Sequence, residues 1–461
     1  MFAKVLIANR GEIALRIARS CREMGVATVA VYSTEDRDSA VVAYADEAVH
    51  IGPGASRRSY LNIPAVIQAA HNTGADAVHP GYGFLSEDPD FAEVCEKNDL
   101  TFVGPPSGVL ARLGDKCAAR RTMAEAGLPI LPGSQGPVAA LEDARRVAER
   151  IGFPVIVKAA AGGGGRGMRV ADGPGAFQAA YTEASREAQS LFDDAALYVE
   201  RYVPRARHIE VQILRDTHGD AVHLGVRECS VQRRHQKLLE ESPAPRLPGE
   251  VIARMGESAI AGAHAVGYVG AGTFEFVVDA QAGFSFMEAN CRIQVEHPVT
   301  ELVTGVDLVQ EQLRIASGER LGLRQRDVQG HGTALECRIN MEDPDRNFAP
   351  APGTLESFRL PGGPFVRVDT HGYPGYRMPA LYDSLLAKVL AWAPTREQAI
   401  ERMERALEEL RAEGPGVRTT TGFLRRVLAD ERFRSGSYDT GLVEHLIGEA
   451  SDHAGESRST R

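Results

Sequence analysis

Through the first hundred or so residues, short apolar runs alternate with amphipathic stretches, and that alternation restricts the chain to a parallel sheet with helices on both faces. Lys4-Val5-Leu6-Ile7-Ala8 reads as a buried strand. Asn9-Arg10-Gly11 turns the chain, and Ile13, Ile17, Cys21 and Met24 then recur at helical spacing. Residues 27–32, 75–79 and 100–103 are further predicted strands. Sheets of this kind often bind dinucleotides, but the first turn reads Asn-Arg-Gly-Glu, so the GxGxxG fingerprint is absent.

Beyond this unit, 131–140 (LPGSQGPVAA) reads as a linker, 141–151 as a helix and 155–158 as a strand. Residues 159–167 then read AAAGGGGRG. Four consecutive glycines supply no packing and cost chain entropy, so their use is close backbone approach, with N–H groups free to wrap phosphate oxygens. No Gly-Lys-Ser/Thr follows, which excludes a Walker A loop. Met168-Arg169-Val170 reads as a return strand, making the run the tip of a hairpin. A plain surface loop is the bland alternative, but Lys158, a strand lysine in need of an anionic partner, favours polyphosphate. Glu200-Arg201-Tyr202-Val203 reads as a solvated turn or as a hinge offering backbone groups to a base ring.

The densest cluster of functional residues is 272–298. Residues 273–278 form a predicted strand with Glu275 between Phe274 and Phe276, and 284–290 form its return strand. Period two places Phe286, Glu288 and Asn290 on one face, with Glu275 across from it. Two carboxylates and an amide oxygen beside a phosphate loop suit a hard cation such as Mg²⁺. If the chain stays extended, Arg292, Gln294 and Glu296 continue the face of Asn290. There Arg292 would bind an oxyanion and Glu296 would take a proton from it. Residues 227–237 gather Arg227, Arg233, Arg234, His235 and Lys237, either a surface basic patch or a set of donors. Cys229 within it reads as an inert thiol. His79–Phe84, with glycines on both sides of Tyr82, fits a structural turn and a ligand loop equally. Residues 396–411 read as a charged amphipathic helix, and the last eleven residues as a polar tail.

With 52 basic and 62 acidic residues the net charge is −10, which argues against a general nucleic-acid or anionic-membrane binder. No apolar run is long enough to cross a bilayer. The N-terminus lacks a secretory pattern, so the cytoplasm is the expected location. The six cysteines are scattered without a CxxC pair, which fits reduced core thiols.

IANRGEIALRI, HPGYGFLSE, GGGGRGMRV, QRRHQK, GTFEF, MEANCRIQVEHPVTE and ECRINMEDP occur in this order. Together they resemble the biotin carboxylases of the ATP-grasp superfamily, from about Phe2 to about Leu446. The resemblance implies an α/β and α+β chain of three domains. These are an N-terminal parallel-sheet (pre-ATP-grasp) domain at 1–115, an ATP-grasp domain at 116–320 with a mobile lid at about 131–203, and a mixed α+β C-terminal domain at 330–446. A polar tail follows at 447–461.

By the same resemblance Lys116 and Lys158 contact ATP phosphates under the amides of Gly164 and Gly165. Glu200, Arg201 and Val203 line the adenine, and His208, Gln232 and His235 hold the nucleoside. Glu275, Glu288 and Asn290 bind Mg²⁺ or Mn²⁺, with Glu275 and Glu288 also reaching ATP. Lys237, Arg292, Gln294 and Val295 hold bicarbonate, and Glu296 is the base. Arg338 steadies the biotin enolate, with Tyr82 and Asp383 beside it. The implied chemistry is ATP-dependent carboxylation of biotin through carboxyphosphate, the first half-reaction of an acetyl-CoA or other acyl-CoA carboxylase in fatty acid biosynthesis.

A pyruvate carboxylase subunit and a non-catalytic ATP-grasp scaffold are the alternatives. No methionine precedes a lysine, so the Met-Lys-Met biotin attachment motif is absent. The expected partners are therefore a separate biotin carboxyl carrier protein and carboxyltransferase subunits. A homodimer through Arg16, Arg19, Glu23 and Arg367 is also expected. Thr419-Thr420 stands where relatives have Thr-Asn, outside the expected chemistry.

Overall fold

The computed structural model describes residues 1–159 and 168–449. The glycine run at 160–167, with Gly164 and Gly165, and the tail from 450 lie outside the described residues. Five strands build the first sheet: β1 (Lys4–Ile7), β2 (Ala27–Ser33), β3 (Glu47–Gly52), β4 (Ala77–His79) and β5 (Thr101–Phe102). Their order is β3-β2-β1-β4-β5, parallel throughout. Only β3 escaped the sequence reading. Its Glu47, Ala48 and His50 are exposed, so it lacks a continuous apolar run. The helix Gly11–Glu23 follows the first turn and buries Ile13, Ile17 and Cys21 against this sheet.

The turns after β1 and β4 meet at the carboxyl edge of the sheet. Asn9 Nδ2 donates to the carbonyls of Pro80 (2.6 Å) and Tyr82 (2.7 Å). Gly81 between them has φ +62, and a Cβ there would lie 2.9 Å from Asn9 Nδ2. Both facts require glycine and fix the loop that carries Tyr82.

A small three-stranded sheet follows, in the order β7 (Arg169–Ala171), β6 (Val155–Ala159), β8 (Leu197–Arg201). The helices Leu141–Ile151 and Pro174–Phe192 cover it, and it has its own apolar core. The expected linker at 131–140 is not free. Ser134 and Val138 donate backbone hydrogen bonds to Val199 (2.8 Å) and Leu197 (2.7 Å) of β8.

The largest sheet has eight antiparallel strands. From one edge they run β13 (Phe284–Asn290), β12 (Gly270–Val278), β9 (Arg207–Arg215), β10 (Ala221–Arg233), β11 (Gln236–Ser242) and β14 (Thr333–Asn340). The strands Leu385–Ala393 and Val366–Thr370 complete it. It takes strands from both sides of the stretch 320–330, joined by the β11–β14 pairing. In β9, Ile209, Val211 and Ile213 face the core, while His208, Glu210 and Gln212 take the other face. The charged helix read as 396–411 spans Arg396–Glu409, capped by Thr395. Among the described residues no helix is long and apolar enough to cross a membrane.

Candidate active site

Glu288, Glu275, Glu210 and Arg227 are direct cross-strand neighbours in one row across β13, β12, β9 and β10. Three carboxylates so aligned repel one another, and burial raises that repulsion unless cations intervene. Lys237 of β11 supplies one: its Nζ contacts Glu210, lies 3.3 Å from Glu275 Oε1 and 2.7 Å from Glu296 Oε1. Arg227, fully buried, donates to Glu210, to Gln212 (2.7 Å) and to Thr273 (2.9 Å). The stretch 227–237 is therefore no surface patch at its two principal cations, because the antiparallel β10–β11 hairpin folds both inward. His235, at the turn of that hairpin, is exposed.

The hairpin β12–β13 pairs Glu275 with Glu288 as expected, but with a correction. A β-bulge separates the pairs Glu275–Glu288 and Phe276–Phe286. Phe286 therefore does not share the face of Glu288. It packs with Phe274 (ring centroids 6.0 Å) and Phe276 (6.2 Å) on the apolar side. The extra residue lets aromatic and acidic groups take opposite faces where strict period two would have joined them.

A second correction concerns 291–296. The chain leaves the extended state after Asn290 and turns into the helix His297–Thr304. The expected residues converge through the turn instead. Arg292 donates to Asn290 Oδ1 (3.0 Å) and Gln294 Oε1 (2.9 Å), and Gln294 Nε2 donates to Glu275 Oε1 (3.0 Å). Asn290 Nδ2 reaches the same oxygen at 2.7 Å. Glu296 is fully buried between Lys237 and Arg338, whose Nη2 lies 2.9 Å from its Oε2. Burial pushes the Glu296 carboxyl up, but Lys237, Arg338 and Arg227 outweigh it and hold it well below the usual range.

The remaining expected residues flank this cluster. His208 Nε2 is 2.9 Å from Glu275 Oε2, and Gln232 Nε2 lies 3.4 Å from His208 Nδ1. Glu288 is raised by burial and then by Glu275, with Lys116 opposing. Lys116 opens the helix Lys116–Glu125, and Lys158 Nζ on β6 is 2.6 Å from Glu200 Oε2. Arg201 donates to the Ile151 carbonyl, and Val203 is partly exposed just beyond β8. The Tyr82 hydroxyl donates to Glu12, and exposed Asp383 caps Leu385 N at 2.8 Å. Burial, then Glu210, push the Cys229 thiol well up, in keeping with an inert residue.

Several partners escaped the sequence reading. Glu210 closes two ligand-type groups, one with His208 and Glu275, the other with Cys229 and Glu296. Its place inside HIEVQIL was the available signal. Glu87 holds Arg292 Nε at 2.9 Å from within the quoted HPGYGFLSE segment. Arg120, one helical turn after Lys116, pairs with Glu200. Glu240 lies 2.5 Å from Arg338. Thr420 touches no charged site group, but its hydroxyl accepts from Asn340 N (3.0 Å) and donates to the Arg338 carbonyl (2.8 Å). It thereby ties down the strand that carries Arg338.

Oxygen donors from paired carboxylates fit a hard divalent cation, and the raised Glu288 marks a carboxylate short of positive charge. A strand lysine on a small three-stranded sheet, together with a carboxylate hairpin on a large antiparallel one, is the arrangement of an ATP-grasp ligase. Residues 115–324 match the family model "Carbamoyl-phosphate synthase L chain, ATP binding domain". Residues 1–110 match "Biotin carboxylase, N-terminal domain" and 336–445 "Biotin carboxylase C-terminal domain". The chain is 52% identical over 445 residues to a biotin carboxylase of Nostoc sp., covering 96% of this chain and 99% of that one. A Campylobacter jejuni biotin carboxylase–β-γ-ATP complex superposes with TM-score 0.93 at 45% identity, covering 96% and 99% of the two chains. The biotin carboxylase domain dimer of Hydrogenobacter thermophilus 2-oxoglutarate carboxylase, with MgADP, ADP and bicarbonate, gives 0.93 at 45%, covering 96% and 98%. The chain belongs to the biotin carboxylase family of ATP-dependent ligases.

Proposed function

We propose that the charged row and the turn after it carboxylate biotin borne on a separate carrier protein, using ATP, Mg²⁺ and bicarbonate. The observation that carries this reading is Glu296 held ionised between Lys237 and Arg338, beside the Glu275–Glu288 pair. Lys116 and Lys158 take the ATP phosphates, and Glu200, Arg201, Val203, His208, Gln232 and His235 surround the nucleoside. The segment 131–203 acts as the lid. Glu275, Glu288 and Asn290 would hold a divalent cation, which would supply positive charge to offset the phosphates. Arg292, Lys237, Gln294 and Val295 receive bicarbonate.

With both cations on it, Glu296 is a weak base. An anion that shares Lys237 and Arg338 draws those charges away and raises its proton affinity. Glu296 then takes the bicarbonate proton, and the carbonate oxygen attacks the γ-phosphorus, releasing ADP and forming carboxyphosphate. Carboxyphosphate breaks to CO₂ and phosphate. The phosphate removes the ureido N–H proton of biotin, and the enolate, steadied by Arg338 beside Tyr82 and Asp383, attacks CO₂. The buried cations offset each developing charge inside a site that excludes water.

A carboxyltransferase partner chooses the final acceptor, and a second copy of the chain completes a dimer. The Hydrogenobacter relative supports the dimer by its own form. Within one chain Arg16 and Arg367 are already bound to Glu301 (2.9 and 2.7 Å), while Arg19 and Glu23 are exposed. The six free thiols suit a reducing cytoplasm. The test is ADP release with free biotin and bicarbonate. The reading expects release to depend on both, and biotin-independent release alone would count against it.

A further inference from the structure

Lys388 lies in the middle of the strand Leu385–Ala393 and is completely buried, although no motif points to it. Its Nζ donates to the Val295 carbonyl at 2.9 Å and lies 3.0 Å from Glu12 Oε1. The same Glu12 oxygen accepts from the Tyr82 hydroxyl. Glu12 Oε2 is buried with no partner, so Lys388 and Tyr82 carry that carboxylate. One ammonium group thus joins the turn that holds Val295 and Glu296 to the loop that holds Tyr82.

The turn is clamped from behind at two successive peptides. His297, kept neutral by burial, donates from Nδ1 to the Gln294 carbonyl at 2.8 Å, and Lys388 takes the next carbonyl. In a trans peptide the N–H opposes the C=O. The N–H of Val295 therefore points away from His297, and the N–H of Glu296 away from Lys388. The acidic groups facing Lys388 are Glu12 from the first helix, Glu336 from β14 and Asp369 (3.9 Å) from the neighbouring strand. Burying a lysine this deeply costs far more than a surface ion pair returns, which argues for a use beyond packing.

We propose that Lys388, with Glu12, is a positioning residue that sets the bicarbonate turn and the biotin wall in one fixed geometry. The proposal rests on the biotin carboxylase reading above and adds the coupling between its two anion- and biotin-holding sides. It places Lys388 outside direct contact with either substrate and away from the nucleotide.

The test is kinetic. In Lys388→Met the KM for bicarbonate should rise, and the biotin-dependent rate fall, each by about tenfold or more, because a displaced turn loses attack geometry. The KM for ATP should stay within about twofold. Lys388→Arg should recover part of both losses. A folded Lys388→Met enzyme whose bicarbonate KM and biotin-dependent rate are unchanged overturns the proposal. So does a variant whose ATP KM moves in parallel, since that marks general damage. If Lys388→Met does not fold, Glu12→Gln keeps the side-chain length and an acceptor for Tyr82 while removing the charge. It should show the same split, and unchanged kinetics there overturn the proposal too. Failure of the unaltered chain to release ADP in response to biotin is a separate result, which removes the underlying function itself.

Discussion

Glu296 carries two cations at once, and the division of their charge sets its basicity. Glu296→Gln keeps the shape and hydrogen-bonding capacity but removes the base. The expected loss of biotin-dependent ADP release is about 10²–10⁴-fold, read as kcat with free biotin, in a chain that still folds but unfolds at lower temperature because Lys237 and Arg338 lose a buried counter-charge. Arg338→Ala should lose a comparable amount, because it removes the partner of both Glu296 and Glu240. The family motifs made most of these residues legible, since Glu288 to Glu296 are contiguous in sequence. The roles of Lys388, Glu12 and Glu210 were not. Lys388 and Glu210 are charges in an apolar and an alternating run, a pattern a half-exposed strand also shows, and Glu12 follows Arg10 and Gly11 at a helix start, where an acidic residue is ordinary. Their partners lie in distant segments, so only the fold brings them together.

At the scale of elements, two turns and one bulge set the site. Gly81→Ala places a side chain at φ +62 and 2.9 Å from Asn9 Nδ2. It should cost about 1–3 kcal/mol of stability, measured by denaturant midpoint, and raise the KM for biotin by displacing Tyr82. The β12–β13 hairpin was readable because two apolar runs flank a short turn. Its bulge was not, because one extra residue leaves no mark in a period-two pattern. The turn at 291–296, which the sequence reading allowed only conditionally to be extended, left no clear mark for a related reason. Alternating polar residues there converge by hydrogen bonding around Glu275, not by strand geometry. Thr420→Ala should loosen β14 at Arg338. A modest drop in biotin-dependent rate with unchanged ATP KM would show that the tether matters.

Across the whole molecule, buried titratable groups make the fold acid-labile. Burial pushes His79 and His371 down to about 3, and His297 well below its ordinary 6.5. These imidazoles stay neutral when folded, while the unfolded chain binds protons below about 6.5. The unfolded state then holds more protons, so stability falls as pH falls, by about 1.4 kcal/mol per pH unit for each full proton of difference. Glu296 and Asp369, held low by their cations against burial, add to the loss once pH drops below their ordinary values of 4.5 and 3.8. Between about 7 and 4.5 the buried carboxyls of Glu210, Glu288 and Glu336, raised by burial, bind protons in the folded chain and oppose this loss. Unfolding midpoints should therefore decline steeply only below about pH 4.5, and a flat profile there would contradict the assigned burial. The parallel first sheet was legible from alternation alone. The continuous eight-stranded sheet was not, because its pairings cross from one sequence region to another and no local pattern records them.

The central claim is that this row of buried charges transfers a carboxyl group to biotin. The direct measurement is incubation of the unaltered chain with ATP, Mg²⁺, biotin and isotopically labelled bicarbonate, followed by isolation of carboxybiotin. The account predicts labelled carboxybiotin in step with ADP, and almost none with Glu296→Gln. ADP formed without label on biotin, or equal labelling by the variant, would contradict it.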